Sequence, residues 1–276
     1  MVAERAAASA SRRSGRDLSR RRRGTVLTGA FSIWKRDMLV LRRSLFSELA
    51  AVVAAPLTFY LAFGFGLRGY IADVEGVPYT VFMAPGLITM TAVSAAFDES
   101  AWSMWFHRKV QRTIEAYRVT PITVYDIVIG KIFSGFTQGA LKGVAVAAVI
   151  FLLTGVRFDP AHLVAYLSFI ILGSMVFSCA GTVCGTLLDK PETIGKVQAV
   201  VIMPLIFLSG AFFPVSSYPE ALRATVMLIP TTALFEGSRR ALLAGAFDAG
   251  LFAILAITAL AAFVATVAIF NRKMAE

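Results

Sequence analysis

Six stretches of this chain are apolar over lengths at or near the 20 or so helical residues needed to cross about 30 Å of hydrocarbon. They cover residues 45–66, 79–106, 132–155, 163–188, 197–213 and 249–270. In lipid the backbone must satisfy its own polar groups, so these stretches are helices. The chain therefore reads as an all-α integral membrane protein with six transmembrane helices. Its residues are 57% hydrophobic and 16% charged, with the charges gathered at the ends and in short clusters. One helical membrane domain accounts for the 276 residues, with no room for a separate soluble catalytic domain.

An even number of spans puts both termini on one side. With that side cytoplasmic, the inner regions (1–44, 107–131, 189–196 and 271–276) hold 21 of the 27 Lys and Arg residues. Outer regions hold Arg68, Arg157, Arg223, Arg239 and Arg240, and Lys142 falls within a span. This is the cationic bias of cytoplasmic loops, and it predicts cytoplasmic termini. The formal charge of +10 is concentrated at the start, where residues 1–24 set eight arginines against Glu4 and Asp17, a net +6. Such an arm reads as disordered and held at anionic lipid headgroups, so no nucleic-acid partner is assigned. A cleaved signal is rejected, because the apolar stretch at 25–34 is short and closed by Lys35, Arg36 and Asp37.

Between the arm and the first span, Phe31, Trp34, Met38 and Leu41 share one helical stripe, with Lys35, Arg36, Arg42 and Arg43 around the rest. This predicts an N-terminal amphipathic helix in the inner interface. The other reading makes it the cytoplasmic start of the first span. The expected domains are a basic arm (1–24), an interfacial helix (25–44) and a transmembrane domain (45–276).

The fifth apolar run, of 17 residues, is at the short limit for spanning and stops at Pro214. Behind it, residues 219–229 and 231–244 are helical in pattern, apolar on one side and divided by Pro230. They suit re-entrant helices dipping into the membrane from one face, the outer one by charge asymmetry. Gly135, Gly139 and Gly143 on the third helix, and Gly181 and Gly185 on the fourth, recur every four residues and let backbones approach closely, within a subunit or between two. Pro56, Pro85 and Pro204 permit bends inside spans. Cys179 and Cys184 point to different faces of one helix and read as free thiols.

No catalytic constellation and no metal site is expected. His107 and His162 fall on opposite sides of the membrane, and neither Gly130-Lys131 nor Gly195-Lys196 has the pattern of a phosphate-binding loop. Any ATP hydrolysis belongs to a separate subunit. The loop HRKVQRTIEAYRVTPITVYDIVIGK predicts a short cytoplasmic helix over about residues 108–118, closed by Thr120-Pro121, with Thr123 or Asp126 capping the next helix. Val110, Ile114 and Tyr117 form its apolar stripe, while Arg112, Glu115 and Arg118 face elsewhere. It suits either contact with a motor or a plain interfacial position. Lys142 lies 11 residues past Lys131, about 16 Å into the membrane. Its expected partner is Asp98 or Glu99, near the inner end of the second helix, as a structural pair or as a functional site; a snorkelling lysine is a further reading.

The segment MPLIFLSGAFFPVSSYPEALRATVMLIPTTALFEGSRRALLAG resembles the signature region of ABC type-two export permeases, in which the fifth helix ends in an LSGxxFP pattern before short re-entrant helices. QRTIEAYRVTPITVYDIVIGK resembles their coupling-helix region. GVPYTVFMAPGLITMTAVSAAFDES resembles the second-helix entry of the nodulation-factor (lipo-oligosaccharide) and drug export subgroup. The resemblance covers residues 27–272 and implies a six-span permease of the bacterial inner membrane. It would pair with a second copy as a homodimer, or with a paralogous permease as a heterodimer, and with two copies of a separate ABC ATPase that binds ATP and Mg. This chain itself would hold no cofactor.

The resemblance further implies a substrate path along the dimer interface, lined by the first, second and fifth helices. Arg108, Arg112, Glu115, Tyr117 and Arg118 would belong to the ATPase-coupling helix, and Phe207, Phe212 and Phe213 would gate the outer end. Residues 219–245, with Pro219, Pro230, Glu236 and Arg240, would form the re-entrant lid. Lys142 has no place in the family pattern. Phe59, Tyr60 and Phe63 on the first helix, with the fifth-helix phenylalanines, suit a substrate with an acyl or aromatic portion; the other reading is that these rings simply face lipid. The expected function is ATP-driven export of an amphipathic substrate, either a lipid-linked or lipidated oligosaccharide or a hydrophobic drug. The alternative is an ion-coupled secondary transporter using Lys142, Asp98 and Glu99, which the absence of an inverted repeat disfavours. An intramembrane enzyme is third.

Overall fold

The structure, a computed structural model, describes residues 26–66, 70, 73–112, 122–154 and 159–275. Helix α1 (Val26–Phe59) continues as a π-helical turn over Tyr60–Phe65. A short antiparallel hairpin follows, β1 (Asp73–Val74) and β2 (Val77–Pro78). Its two turn residues, Glu75 and Gly76, both take positive φ, 50° and 79°, as a tight two-residue hairpin requires. Then come α2 (Tyr79–Lys109), α3 (Val124–Thr154), α4 (Pro160–Leu187), α5 (Pro191–Leu208), the short α6 (Glu220–Met227), α7 (Pro230–Ala244) and α8 (Ala249–Ala275). Among the described residues six helices are long and apolar enough to cross a membrane.

Of the segment expected as an interfacial helix, the described residues 26–44 are continuous with the first span, because α1 runs unbroken across 44–45. No proline, glycine or cap interrupts RRSLFSEL, so nothing stops the helix there. At 34 residues it is about 51 Å long, more than the hydrocarbon is thick, which leaves its charged first turns outside. The buried face of that part is also rotated from the expected stripe: Ala30, Ile33, Asp37 and Leu41 face inward, whereas Phe31 is 57% exposed. The cause is the neighbouring α3, whose Gly130 admits Ala30 and Ile33.

The axis of the bundle is α2. Its most apolar window is 83% buried, against 11% to 44% in the other five spans. The small residues expected to bring backbones together do so within this chain. A Cβ on Gly139 of α3 would run into Ala92 and Ala96 of α2, and one on Gly181 of α4 would run into the Phe97 carbonyl. Hydroxyls join the same three helices: Ser100 Oγ and Ser178 Oγ are 2.6 Å apart, and Ser178 donates to the Ile132 carbonyl at 2.9 Å. Helix α1 lies along α3, while α7 rests on α4 and α2, and α8 on α4.

Local chemistry sets the helix ends. Thr123 and Asp126 cap α3 reciprocally: the Thr123 N–H donates to Asp126 Oδ2 at 2.8 Å, and the Asp126 N–H to Thr123 Oγ1 at 3.2 Å. Asp159 caps α4 and Asp248 caps α8 through backbone N–H groups at 2.8 and 3.0 Å. The fifth span begins at Pro191 and ends at Leu208, displaced toward the N-terminus from the expected 197–213. Gly210, at φ 92°, terminates it, and Pro191 at its first turn is where helices tolerate proline. Pro204 cannot donate to Val200, and the backbone there takes the wider π turn Gln198–Ile202.

Close packing around α2 predicts that Gly181→Ile costs about 1–3 kcal/mol or more through overpacking. Gly195→Ala, where a Cβ meets nothing within 4 Å, leaves stability unchanged or raised. Thermal unfolding of the two variants in lipid nanodiscs, followed by loss of monodisperse elution, measures the contrast.

Candidate functional site

The end of the bundle remote from the start of α1 is built around the turn at Gly210. Because α5 stops before it, Phe212 and Phe213 follow the helix and do not lie on it, and the chain folds them back toward α1 and α2. Phe212 stacks on Phe207 at 5.1 Å between centroids and meets Phe59 at 6.0 Å and Phe63 at 6.4 Å. Four of the six aromatic residues expected on a path thus form one cluster between α1 and α5. Phe213 stacks instead on Tyr79 of α2, at 6.4 Å. Tyr60 departs from the expectation: it is 1% exposed and belongs to the core, because the π turn rotates it away from Phe59 and Phe63.

The residues 219–245 form two helices, as their pattern predicts. Pro219 precedes α6, and Pro230 opens α7, which ends at Gly245 in the left-handed region, φ 66°. Glu236 and Arg240 pair one turn apart at 3.0 Å, and Arg240 reaches Asp248 at 3.1 Å. Burial pushes the Tyr218 hydroxyl above its ordinary value, and it donates to the Phe207 carbonyl at 3.4 Å.

Arg239, absent from the expected site, makes the strongest tie. It is 3% exposed, lies 4.2 Å over the Phe82 ring of α2, and donates to the carbonyls of Gly210 and of Ala211, the latter at 3.3 Å. Those carbonyls are left open where α5 ends, so one guanidinium joins α5, α7 and α2. Ser209 Oγ and Thr231 Oγ1, 2.5 Å apart, add a second link. A sequence signal exists: Thr232, Phe235, Arg239 and Leu242 recur at helical spacing, which puts Arg239 on the buried face of α7.

Two lysines sit buried toward the other end. Lys142 pairs with Glu99 of α2, one of its two expected partners, and with Glu48 of α1 at 3.1 Å. Asp98, the other expected partner, makes no ion pair within 4 Å among the described residues. Lys131 pairs with Asp37 at 2.8 Å and contacts Ser103 and His107 Nδ1 at 2.5 and 3.1 Å. This second cluster was not legible in advance, since Asp37 reads only as the residue closing an apolar stretch.

Arg108 does not begin a separate coupling helix. It belongs to the last turn of α2, where it donates to the carbonyls of Leu188 and, at 3.2 Å, Gly185, and pairs with Asp189 at 3.1 Å. The end of α4 supplies open carbonyls that a guanidinium satisfies, and this draws Arg108 into the fold. Lys109, foremost, and Arg108 donate to the Asp189 carboxyl and hold it below the usual carboxylate range. Arg112 follows at φ 49°. Glu115, Tyr117 and Arg118 lie outside the described residues.

Arg239→Leu leaves two helix-end carbonyls without their donor and destabilises by about 3 kcal/mol. Hydrogen exchange then accelerates in residues 205–213 while that of α3 stays unchanged. Lys142→Met strands Glu99 and Glu48, and the loss falls toward the low end of about 3–5 kcal/mol because Glu48 is 44% exposed. Adding Glu99→Gln recovers part of it in a double-mutant cycle read by thermal unfolding.

The family model for the ABC-2 type transporter matches residues 28–243. The chain is 31% identical over 199 residues to Nodulation protein J of Rhizobium leguminosarum bv. viciae, covering 72% of this chain and 76% of that one. It is 28% identical over 245 residues to Nodulation protein J of Bradyrhizobium diazoefficiens, covering 88% and 93% respectively. Inner membrane transport permease YadH of Escherichia coli is 28% identical over 208 residues, covering 75% and 80%. With six apolar helices, a fifth span followed directly by SGAFFP and two short helices behind it, the chain belongs to the ABC-2 type transporter family, as a multi-pass transmembrane permease subunit.

Proposed function

We propose that the chain is the membrane half of an ATP-driven exporter that moves an amphipathic substrate out of the cytoplasm or the inner leaflet of a bacterial inner membrane, with both termini cytoplasmic. The observation that carries this reading is the aromatic cluster of Phe59, Phe63, Phe207 and Phe212, beside the turn that Arg239 of α7 ties down at Gly210 and Ala211. The cluster joins α1 to the end of α5, and Phe63 and Phe207 keep 37% and 42% of their surface exposed. A second permease, as homodimer or heterodimer, would face these rings across the substrate path. Two copies of a separate ABC ATPase would bind ATP and Mg, and their closure would move the loop containing Arg112, Glu115, Tyr117 and Arg118. Displacement of that loop reaches α2 directly, since α2 leads into it, and α2 carries Phe82 under Arg239. The arginine-rich arm would hold the complex to anionic lipid.

The ion-coupled alternative gains nothing from the geometry. Lys142 is held between two carboxylates, which suits a structural ion triad.

Co-expression with a partner ATPase tests the reading. A stable complex forms, and disabling ATP hydrolysis abolishes transport; transport that persists without the ATPase rejects it. Arg112→Ala or Glu115→Ala uncouples hydrolysis from transport without altering elution of the permease, and unchanged coupling removes these residues from that role.

A further inference from the structure

A pocket of about 360 Å³ lies between the β1–β2 hairpin, α6, α7 and the first turns of α8. None of the rings of the aromatic cluster lines it. Helix α8 enters the apolar layer at Ala249, and its Leu251 and Ile254, one turn apart, form one wall. Met227, Leu228 and Ile229, where α6 passes into α7, form another. Protein does not cover these walls: Met227, Leu228 and Ile254 are 58%, 83% and 49% exposed. Apolar surface of that extent at the head of a span is surface that meets lipid. The pocket therefore sits where hydrocarbon gives way to headgroups, at the end of the bundle remote from the start of α1.

Two acids and two bases line the same pocket. Glu236 and Arg240 of α7 answer each other at 3.0 Å, and Asp248 holds Arg240 further at 3.1 Å. Glu75 of the hairpin turn and Arg223 of α6 are different: neither makes an ion pair or a side-chain hydrogen bond among the described residues. The charge of Arg239 reaches Glu75 only from beyond ion-pair distance. One spare acid and one spare base thus face one space without closing on each other. A lone anion placed there would be repelled by Glu75, and a lone cation by Arg223. A zwitterion satisfies both, and the exposed apolar walls require that it carry hydrocarbon. Separated ammonium and phosphate groups above acyl chains are the chemistry of a zwitterionic phospholipid.

We propose that this pocket holds the headgroup of a zwitterionic phospholipid of the surrounding membrane, with its ammonium at Glu75, its phosphate at Arg223 and its acyl chains against Met227, Leu228 and Ile254. With the termini cytoplasmic, this lipid belongs to the outer leaflet. The site itself does not depend on the export reading. Bound there, the lipid bridges the hairpin to α6, between which the described residues form no ion pair, and fastens both to the bilayer.

The test uses the full-length chain in nanodiscs and matched phosphatidylethanolamine and phosphatidylglycerol probes, each with a diazirine on an acyl chain close to the glycerol. The ethanolamine probe labels peptides within residues 223–236 and 249–257, unlabelled phosphatidylethanolamine competes, and the anionic glycerol probe labels them at least about tenfold less. Glu75→Gln removes the partner of the ammonium, so labelling by the ethanolamine probe falls about tenfold while that by the glycerol probe does not fall. Arg223→Gln removes the partner of the phosphate, and labelling by both probes falls. Both side chains are exposed and unpaired, so elution of the variants is unchanged. Equal labelling by the two probes, labelling that neither substitution lowers, or labelling spread evenly over the lipid-facing sides of α1 and α8 overturns the proposal. Transport that persists without an ATPase rejects the export reading and leaves this labelling untouched.

Discussion

The close approach of α2 to its two neighbours is the constraint on which the other features depend. Glycines of α3 and α4 remove the side chains that would hold three backbones apart, and α2 is thereby enclosed from both sides. In lipid there is little hydrophobic gain from moving apolar side chains out of one oily medium into another, so this packing, and the hydroxyl links of Ser100 and Ser178, supply the cohesion. Once α2 is enclosed, the less buried helices α1, α5 and α8 are arranged around a fixed core.

From that core the polar side chains reach outward to the mobile parts of the proposed mechanism. Glu99 on α2 anchors Lys142, and through it Glu48 of α1. Phe82 near the other end receives Arg239, which holds the open carbonyls behind Leu208. Arg108, in the last turn of α2, holds the open carbonyls at the end of α4. Two helix ends are thus closed by arginines from elsewhere in the chain, a way of satisfying terminal carbonyls that also joins elements. Small displacements of α2 would therefore be felt at both ends of the bundle.

The legible part of this architecture is the part governed by solvent. Length and apolarity are properties of a segment taken alone, and they located all six spans, the fifth with its ends shifted; local residue chemistry marked the division at Pro230 and offered Thr123 or Asp126 as the cap of α3, where the fold uses both. The spacing of Gly139 and Gly181 likewise announced close helix contact. Less legible were features that depend on what packs beside a residue. The stripe of Phe31, Trp34 and Met38 is the most apolar face of its helix, yet the face beginning Ala30 and Ile33 is buried, because Gly130 of α3 leaves room for it. Tyr60 follows Phe59 on paper as part of one aromatic surface, but a π turn carries it into the core.

The candidate site divides in the same way. Lys142 announced itself as a charge in an apolar run, and its need for a carboxylate followed from the cost of leaving a charge unpaired in lipid. Which carboxylates answered, Glu99 and Glu48 and not Asp98, was set by the rotation of α2 and the nearness of α1. Arg239 and Asp37 look in the sequence like ordinary charges at the margins of helices, and only the fold shows that each is buried against a partner far along the chain. The sequence by itself determined that this chain is a six-helix membrane protein whose fifth span ends in a turn followed by two short helices, because transfer of each segment into lipid is decided residue by residue. The tertiary structure decided which glycine stripe faces which helix, which charges meet and which aromatic rings cluster, because those depend on distances between segments that no one segment encodes.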